Sequence, residues 1–309
     1  MPIGSHLSFF GGLPVRRYSK SKAPKRSMAG KVWQLSLRWD SSGTLNDRLE
    51  QMLAHHDAAN IEGIAIGRWA SEMYDSGPEG IRDALIAAAP QLPNLRVLFV
   101  GDITYEESEI SWINQGDLTA LVHAFPSLEV FGCRGGNGLK LGPLSHANLK
   151  NIEVQAGGLP ASVVRQVGAS DLPALVDLEL WLGTENYGGN SGPSDIEEMI
   201  AGDRFPALQA LRLRNSTWSD DIAKAVVVSP LFKRIAVLDL SMGTLGDDGG
   251  QALLEADSDH LTHLVLSHHF MSEGMLEQLR AKFGKRLVAG KAETPYDWGD
   301  DGRYTEVAE

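Results

Sequence analysis

The chain has a single cysteine, Cys133, among 309 residues, so no internal disulfide can staple it. A lone thiol fits a reducing compartment and points to the cytoplasm. No run of eighteen apolar residues occurs, which excludes an ordinary membrane-spanning helix. The N-terminus also lacks the unbroken apolar stretch of a secretory signal, because Arg16, Arg17, Lys20 and Lys22 interrupt it. An organelle presequence shares that basic, Ser-containing composition, but Gly11, Gly12, Pro14 and Pro24 stand in the way of its amphipathic helix. Catalytic signatures are missing too: there is no Walker loop, no Gly-x-Ser-x-Gly elbow and no His-Glu-x-x-His.

Acidic residues are absent from residues 1–31, where Arg16, Arg17, Lys20, Lys22, Lys25, Arg26 and Lys31 supply seven positive charges. The whole chain carries −12, so −19 falls on residues 32–309. A body of that sign repels nucleic acid and anionic lipid over most of its surface; the basic arm reads first as a solvated extension, and it is the one segment able to attract them. Residues 290–309 form an acidic tail or cap, in which Tyr296, Trp298 and Tyr304 are candidates to dock.

What the chain does have is a repeat. Apolar-x-x-apolar-x-apolar recurs nine times, from Val32/Leu35/Leu37 and Ile61/Ile64/Ile66 to Ile235/Leu238/Leu240 and Leu261/Leu264/Leu266. The steps between successive copies are 29, 34, 33, 21, 26, 33, 27 and 26 residues. The last two apolar positions alternate with variable residues, the period of a strand with one buried face. Between them lie helical patterns, as in Leu45/Leu49/Met52/Leu53, Ile81/Leu85/Ala88, Leu118/Leu121/Val122/Phe125 and Ile196/Met199/Ile200. Pro78 and Pro193 suit first turns, and Ser219 or Asp220 suits an N-cap. Leu92-Pro93, Phe125-Pro126, Leu172-Pro173 and Phe205-Pro206 stop helix continuation ahead of strands. Strand, helix and return to a parallel strand is the unit of an α/β sheet, and units this small must stack on neighbours.

Over residues 32–289 this pattern resembles the leucine-rich-repeat superfamily, and the long units with helices resemble its ribonuclease-inhibitor-like class. The resemblance implies a horseshoe-shaped α/β solenoid with nine to ten parallel inner strands and helices on the convex side. His6-Leu7, Gly12-Leu13-Pro14-Val15 and Asp300-Asp301-Gly302-Arg303-Tyr304 further resemble a bacterial family of stand-alone repeat proteins with no known activity. The superfamily's turn asparagine is replaced here by Gly136, Gly157, Gly183, Ser216 and Gly243, so the turns are expected to use glycine conformations.

The variable strand positions predict the binding face. Arg134, Glu153, Gln155, Asp177, Glu179, Trp181, Arg212, Arg214 and Asp239 gather in the middle repeats, bordered by the 183–192 loop with Tyr187. Strands about 4.8 Å apart place Glu179, Arg212 and Asp239 side by side. Two readings fit: an exposed ion-pair ladder with no partner, or a patch in which an outward Trp181 beside two arginines meets a protein partner. The expected function is a non-enzymatic interaction scaffold, with no cofactor. The alternative is an enzyme or small-molecule or metal binder that uses Asp177, Glu179, Arg212 and Asp239. The glycine-rich loop at 183–192 and the acidic loop at 101–112 read equally as functional rims or simple insertions. His260, His263, His268 and His269 cluster in sequence, but the intervening strand separates them too far for one metal.

Overall fold

The computed structural model describes residues 3–19, 27–41, 43–297 and 302–308. Of the sequence features above, Lys20, Lys22, Lys25, Arg26, Trp298, Asp300 and Asp301 lie outside the described residues. The contacts divide the chain into two compact units, Met1–Gln155 and Ala156–Ala308, and the nine repeat strands are divided between them.

The first unit contains β1 (Phe9–Phe10), β2 (Leu13–Arg17), β3 (Val32–Leu35), α1 (Leu45–Leu53), β4 (Gly63–Ile66) and α2 (Glu79–Ala88). It continues with β5 (Val97–Val100), α3 (Thr119–His123), β6 (Val130–Arg134) and β7 (Asn151–Gln155). β1 and β2 pair antiparallel; from β2 to β7 each strand pairs parallel with the next. Thr44 starts α1 with a capping box closed by Asp47, and Pro78 precedes α2. The step of 21 residues between β6 and β7 is too short for a helix, and Asn114 and Asp117 bridge to Asn137 and Lys140 instead.

Ile64, Leu98, Phe131 and Ile152 align in register, as the repeat predicts. The first repeat is an exception. Trp33 rather than Leu35 pairs with Ile64, and Leu35 pairs with Ile66. A slip of two residues keeps every side chain on its face, so the apolar pattern cannot detect it.

Residues 9–17 fall within the expected basic arm, yet they form β1 and β2, and Tyr18 is buried. The reason lies on the strand face opposite Trp33, Ile64 and Leu98. Val15, Val32, Ala65, Val97 and Phe99 share that face and form a second apolar cluster with Phe10 and Leu13, with Leu7 packed on its margin. Phe10 meets Phe99 edge-on at 5.0 Å, and a Cβ at Gly132 would strike both rings. Apolar area of this size is stable only when covered, and the N-terminal segment covers it. The face expected to bind is therefore closed in the early repeats.

The second unit contains α4 (Ala161–Gly168), β8 (Asp177–Gly183), α5 (Glu197–Ala201), β9 (Ala210–Ser216) and α6 (Ser219–Val227). It ends with β10 (Val237–Asp239), α7 (Asp247–Glu255), β11 (His263–Val265), α8 (Glu273–Phe283) and β12 (Leu287–Val288). All five strands run parallel in chain order, with Leu178, Leu211, Leu238, Leu264 and Leu287 aligned. β2 adds a parallel strand to the first unit and β12 one to the second, beyond the nine repeats the pattern counts.

Two local expectations change. Gly183 adopts the left-handed turn conformation as expected (φ 71°), but elsewhere that conformation falls one position early, on Asn215 (φ 56°) before Ser216 and Met242 (φ 69°) before Gly243, and His268 (φ 61°) adopts it as well. Non-glycine residues in that region are strained, and the stacked turns hold all three there. Asp220 does not cap its own helix; its Oδ1 accepts from the backbone N–H of Gly246 and Gly249 at 2.7 and 3.0 Å, capping α7 of the next repeat. The tail resolves as a docked strap: Arg303 donates to Asp220 and the Thr244 carbonyl, and Asn215 exchanges hydrogen bonds with the backbone of Val307. Tyr304 packs edge-on to His268 and Phe270, with Tyr296 stacked on it at 4.5 Å.

Candidate functional site

Register builds the main charged strip, which lies wholly in the second unit. Glu179 pairs with Arg212, Trp181 with Arg214, and Arg212 with Asp239, so alternate positions of β8, β9 and β10 fall side by side. Arg212 grips Asp177 with Nε and Nη2 at 2.9 and 3.1 Å, and its Nη1 lies 3.6 Å from Asp239. Arg214 Nη1 donates to Glu179 Oε1 at 2.6 Å, its Nε donates to Ser241 Oγ at 3.0 Å, and Asp239 Oδ2 lies 3.6 Å away. Asp239 is 4% exposed, and its Oδ1 accepts from the backbone N–H and hydroxyl of Ser241. Burial lowers the pKa of Arg212, but Asp177, Glu179 and Asp239 outweigh it and hold the guanidinium firmly charged.

Trp181 is the correction at this site. The expected outward indole is 2% exposed, its Nε1 donates to Glu179 at 2.6 Å, and Arg214 lies over its ring at 5.5 Å. It is a buried base for the charged layer, with the arginine laid across it. Tyr187 is half-buried in a short turn, and the 183–192 loop is an anchored structure rather than a loose insertion. Thr184 N–H donates to the Gly157 carbonyl, Gly189 N–H to Thr184, and a Cβ on Gly158 would collide with the Tyr187 carbonyl.

The remaining candidates, Arg134, Glu153 and Gln155, belong to the first unit. Arg134 is 2% exposed rather than displayed; its Nε donates to Gln155 at 2.7 Å and its Nη1 to the Ile103 carbonyl at 2.5 Å. Burial lowers its pKa, against the fields of Asp102, Glu153 and Glu107. Gln155 in turn donates to Glu153. The pattern missed the hub of this region, Asp102. It is fully buried, and it accepts from Leu7 N–H at 2.9 Å and Gln34 Nε2 at 2.6 Å, tying the N-terminal cover to the sheet. No sequence signal marks it, because its partners lie 68 and 95 residues away.

The histidines do not converge. His260 meets the Phe232 carbonyl, His268 that of Gly243 and His269 that of Gly290, while His263 lies exposed on β11. Cys133 is buried among the anchors, and burial pushes its thiol far up, away from the nucleophilic thiolate.

With the geometry in place, comparisons with known proteins bear on the fold. A crystal structure of a Bacteroides fragilis protein is similar over 88% of this chain and 76% of its own, with 29% identity and a TM-score of 0.76. A TLR13–ssRNA13 complex aligns over 94% of this chain and 42% of its own, at 15% identity and a TM-score of only 0.36, too low to support any argument. No family model and no curated protein sequence matches the chain.

Proposed function

We propose that this chain is a protein-interaction scaffold, non-enzymatic and cytoplasmic, that meets a protein partner on the charged strip of β8, β9 and β10. One observation carries this reading. Two arginines and three carboxylates interleave on adjacent strands, each half-buried or deeper, and each is ion-paired to its neighbours. Side chains already ordered lose little entropy on binding. A surface of alternating sign selects a partner of complementary pattern, which adds specificity more than raw affinity. The carboxylates are engaged by guanidinium groups, which favours this reading over a metal or catalytic role for Asp177, Glu179 and Asp239. The contact residues are then Asp177, Glu179, Arg212 and Arg214, with Tyr187 at the rim; Trp181 supports them from below. In the first unit, Glu153 is the half-buried candidate, while Arg134 and Gln155 act as its supports. The likeness to the Bacteroides fragilis structure supports placing the chain with bacterial stand-alone repeat proteins.

The test compares affinity capture from native lysate by the intact protein, by Arg212→Glu and by Glu197→Lys on α5. The proposal expects one partner to be retained by the intact protein and Glu197→Lys and lost with Arg212→Glu, which unfolds at a lower temperature because four carboxylates then meet but is folded at the capture temperature by circular dichroism. Equal retention by folded Arg212→Glu refutes it.

A further inference from the structure

Away from the charged strip, the first unit carries a groove of about 720 Å³ built from three loops that leave the C-terminal ends of β4, β5 and β6. Its lining includes Tyr74, Asp75, Glu79, Trp112 and Asn114. Outer ends of parallel strands are where α/β sheets gather ligands, and the volume lies within the usual range for small-ligand sites.

Tyr74 and Trp112 are 67% and 47% exposed and meet edge-on, centroids 5.6 Å apart and planes at 86°, forming a corner of two π surfaces. Asn114 donates to the Tyr74 carbonyl at 2.7 Å, and Gln115 N–H to the Asn137 carbonyl at 2.8 Å, so the three loops hold one another. The floor is backbone: Gly116 and Gly138 both adopt left-handed φ, and a Cβ on Gly138 would reach nothing but Gly116 within 4 Å.

The groove's charge identifies its occupant. Asp75 and Glu79 line it, and among the described residues no lysine, arginine or histidine does. Among the described residues neither carboxylate has an ion-pair or hydrogen-bond partner. The Arg82 guanidinium, which feels the field of Glu79, is committed to Asp83 at 2.8 Å and to the Asp117 carbonyl at 3.1 Å. Two carboxylates outside any hydrogen bond or ion pair among the described residues, beside two open aromatic faces, match a cation on a slender stem: the π surfaces attract its charge and the carboxylates neutralise it. We propose that this groove binds the cationic side chain, guanidinium or ammonium, of a basic peptide segment. The site is separate from the strip on β8, β9 and β10 and stands or falls independently of it.

The probe is N-acetyl-arginine amide, titrated against the full chain while the Trp112 indole N–H is followed by NMR and assigned with Trp112→Phe. N-acetyl-lysine amide is the second cation, N-acetyl-citrulline amide the uncharged isostere, and maltotriose the neutral-sugar control. Both cations are expected to saturate the shift, with citrulline at least about five-fold weaker and maltotriose inert. Tyr74→Ala, followed by the same signal, should weaken arginine about two- to five-fold. Asp75→Asn with Glu79→Gln should weaken it about ten-fold. These positions are exposed, so unchanged unfolding temperatures are expected and separate loss of site from loss of fold. Equal binding of citrulline, preferential binding of maltotriose, or no saturable shift with either cation overturns the proposal.

Discussion

At the scale of single residues, environment rather than type sets the role. Trp181 has the composition of a binding hot spot, yet it is buried and hydrogen-bonded to Glu179. Truncating a buried indole removes contact area and leaves a cavity, so Trp181→Ala should destabilise the protein by about 3–5 kcal/mol. Urea unfolding checks this, and a loss below about 0.5 kcal/mol would mean an exposed ring after all. His6 makes a second case. Its hydrogen bond to Asp102, then the fields of Asp102 and Glu107, raise its pKa despite partial burial. Its contribution is complete below about pH 6.5, where the unfolded imidazole is also protonated. It is lost as pH rises through the higher folded value. Unfolding free energies of the wild type and His6→Gln should therefore differ at pH 5.5 and converge by pH 8.5. A difference that grows with pH contradicts the assignment.

At the scale of elements, the repeat is a stack in which each strand is an anchor for the next. Leu211 pairs with Leu178 on one side and Leu238 on the other. Leu211→Ala should cost roughly 2–5 kcal/mol. Because neighbouring repeats share interfaces, amide exchange should accelerate around both Leu178 and Leu238. Unchanged protection at either position rules out that coupling. The elements least visible in the sequence are those that work between repeats: β1 and β2 beneath Phe99, Asp220 capping α7, and the 302–308 strap on Asn215. Each depends on a contact with residues far away in the chain, for which a local pattern holds no record.

At the scale of the whole molecule, charge dominates. The chain carries −12 at neutral pH, and among the basic N-terminal residues Arg16 and Arg17 belong to a strand rather than a free arm. Arg17 donates to the Ser36 carbonyl and Arg16 to that of Val15. No retention of duplex DNA is therefore expected at physiological ionic strength, where exposed charges are screened beyond about 8 Å. Filter binding that shows salt-sensitive, saturable association would oppose this.

The amino-acid sequence by itself determined the α/β class, the parallel strands and the repeat anchors from Ile64 onward. Period and burial are local properties, and leucines at fixed spacing must face a core whatever lies beyond them. It also brought Glu179, Arg212 and Asp239 together, because register carries strand positions into alignment. Only the tertiary structure decided which of those aligned side chains meet solvent. The N-terminal segment closes the early strands, Arg214 lies over Trp181, and the loops after β4 and β5 raise Tyr74 and Trp112 into the open. Exposure is a property of what packs on top of a residue, and what packs on top comes from elsewhere in the chain.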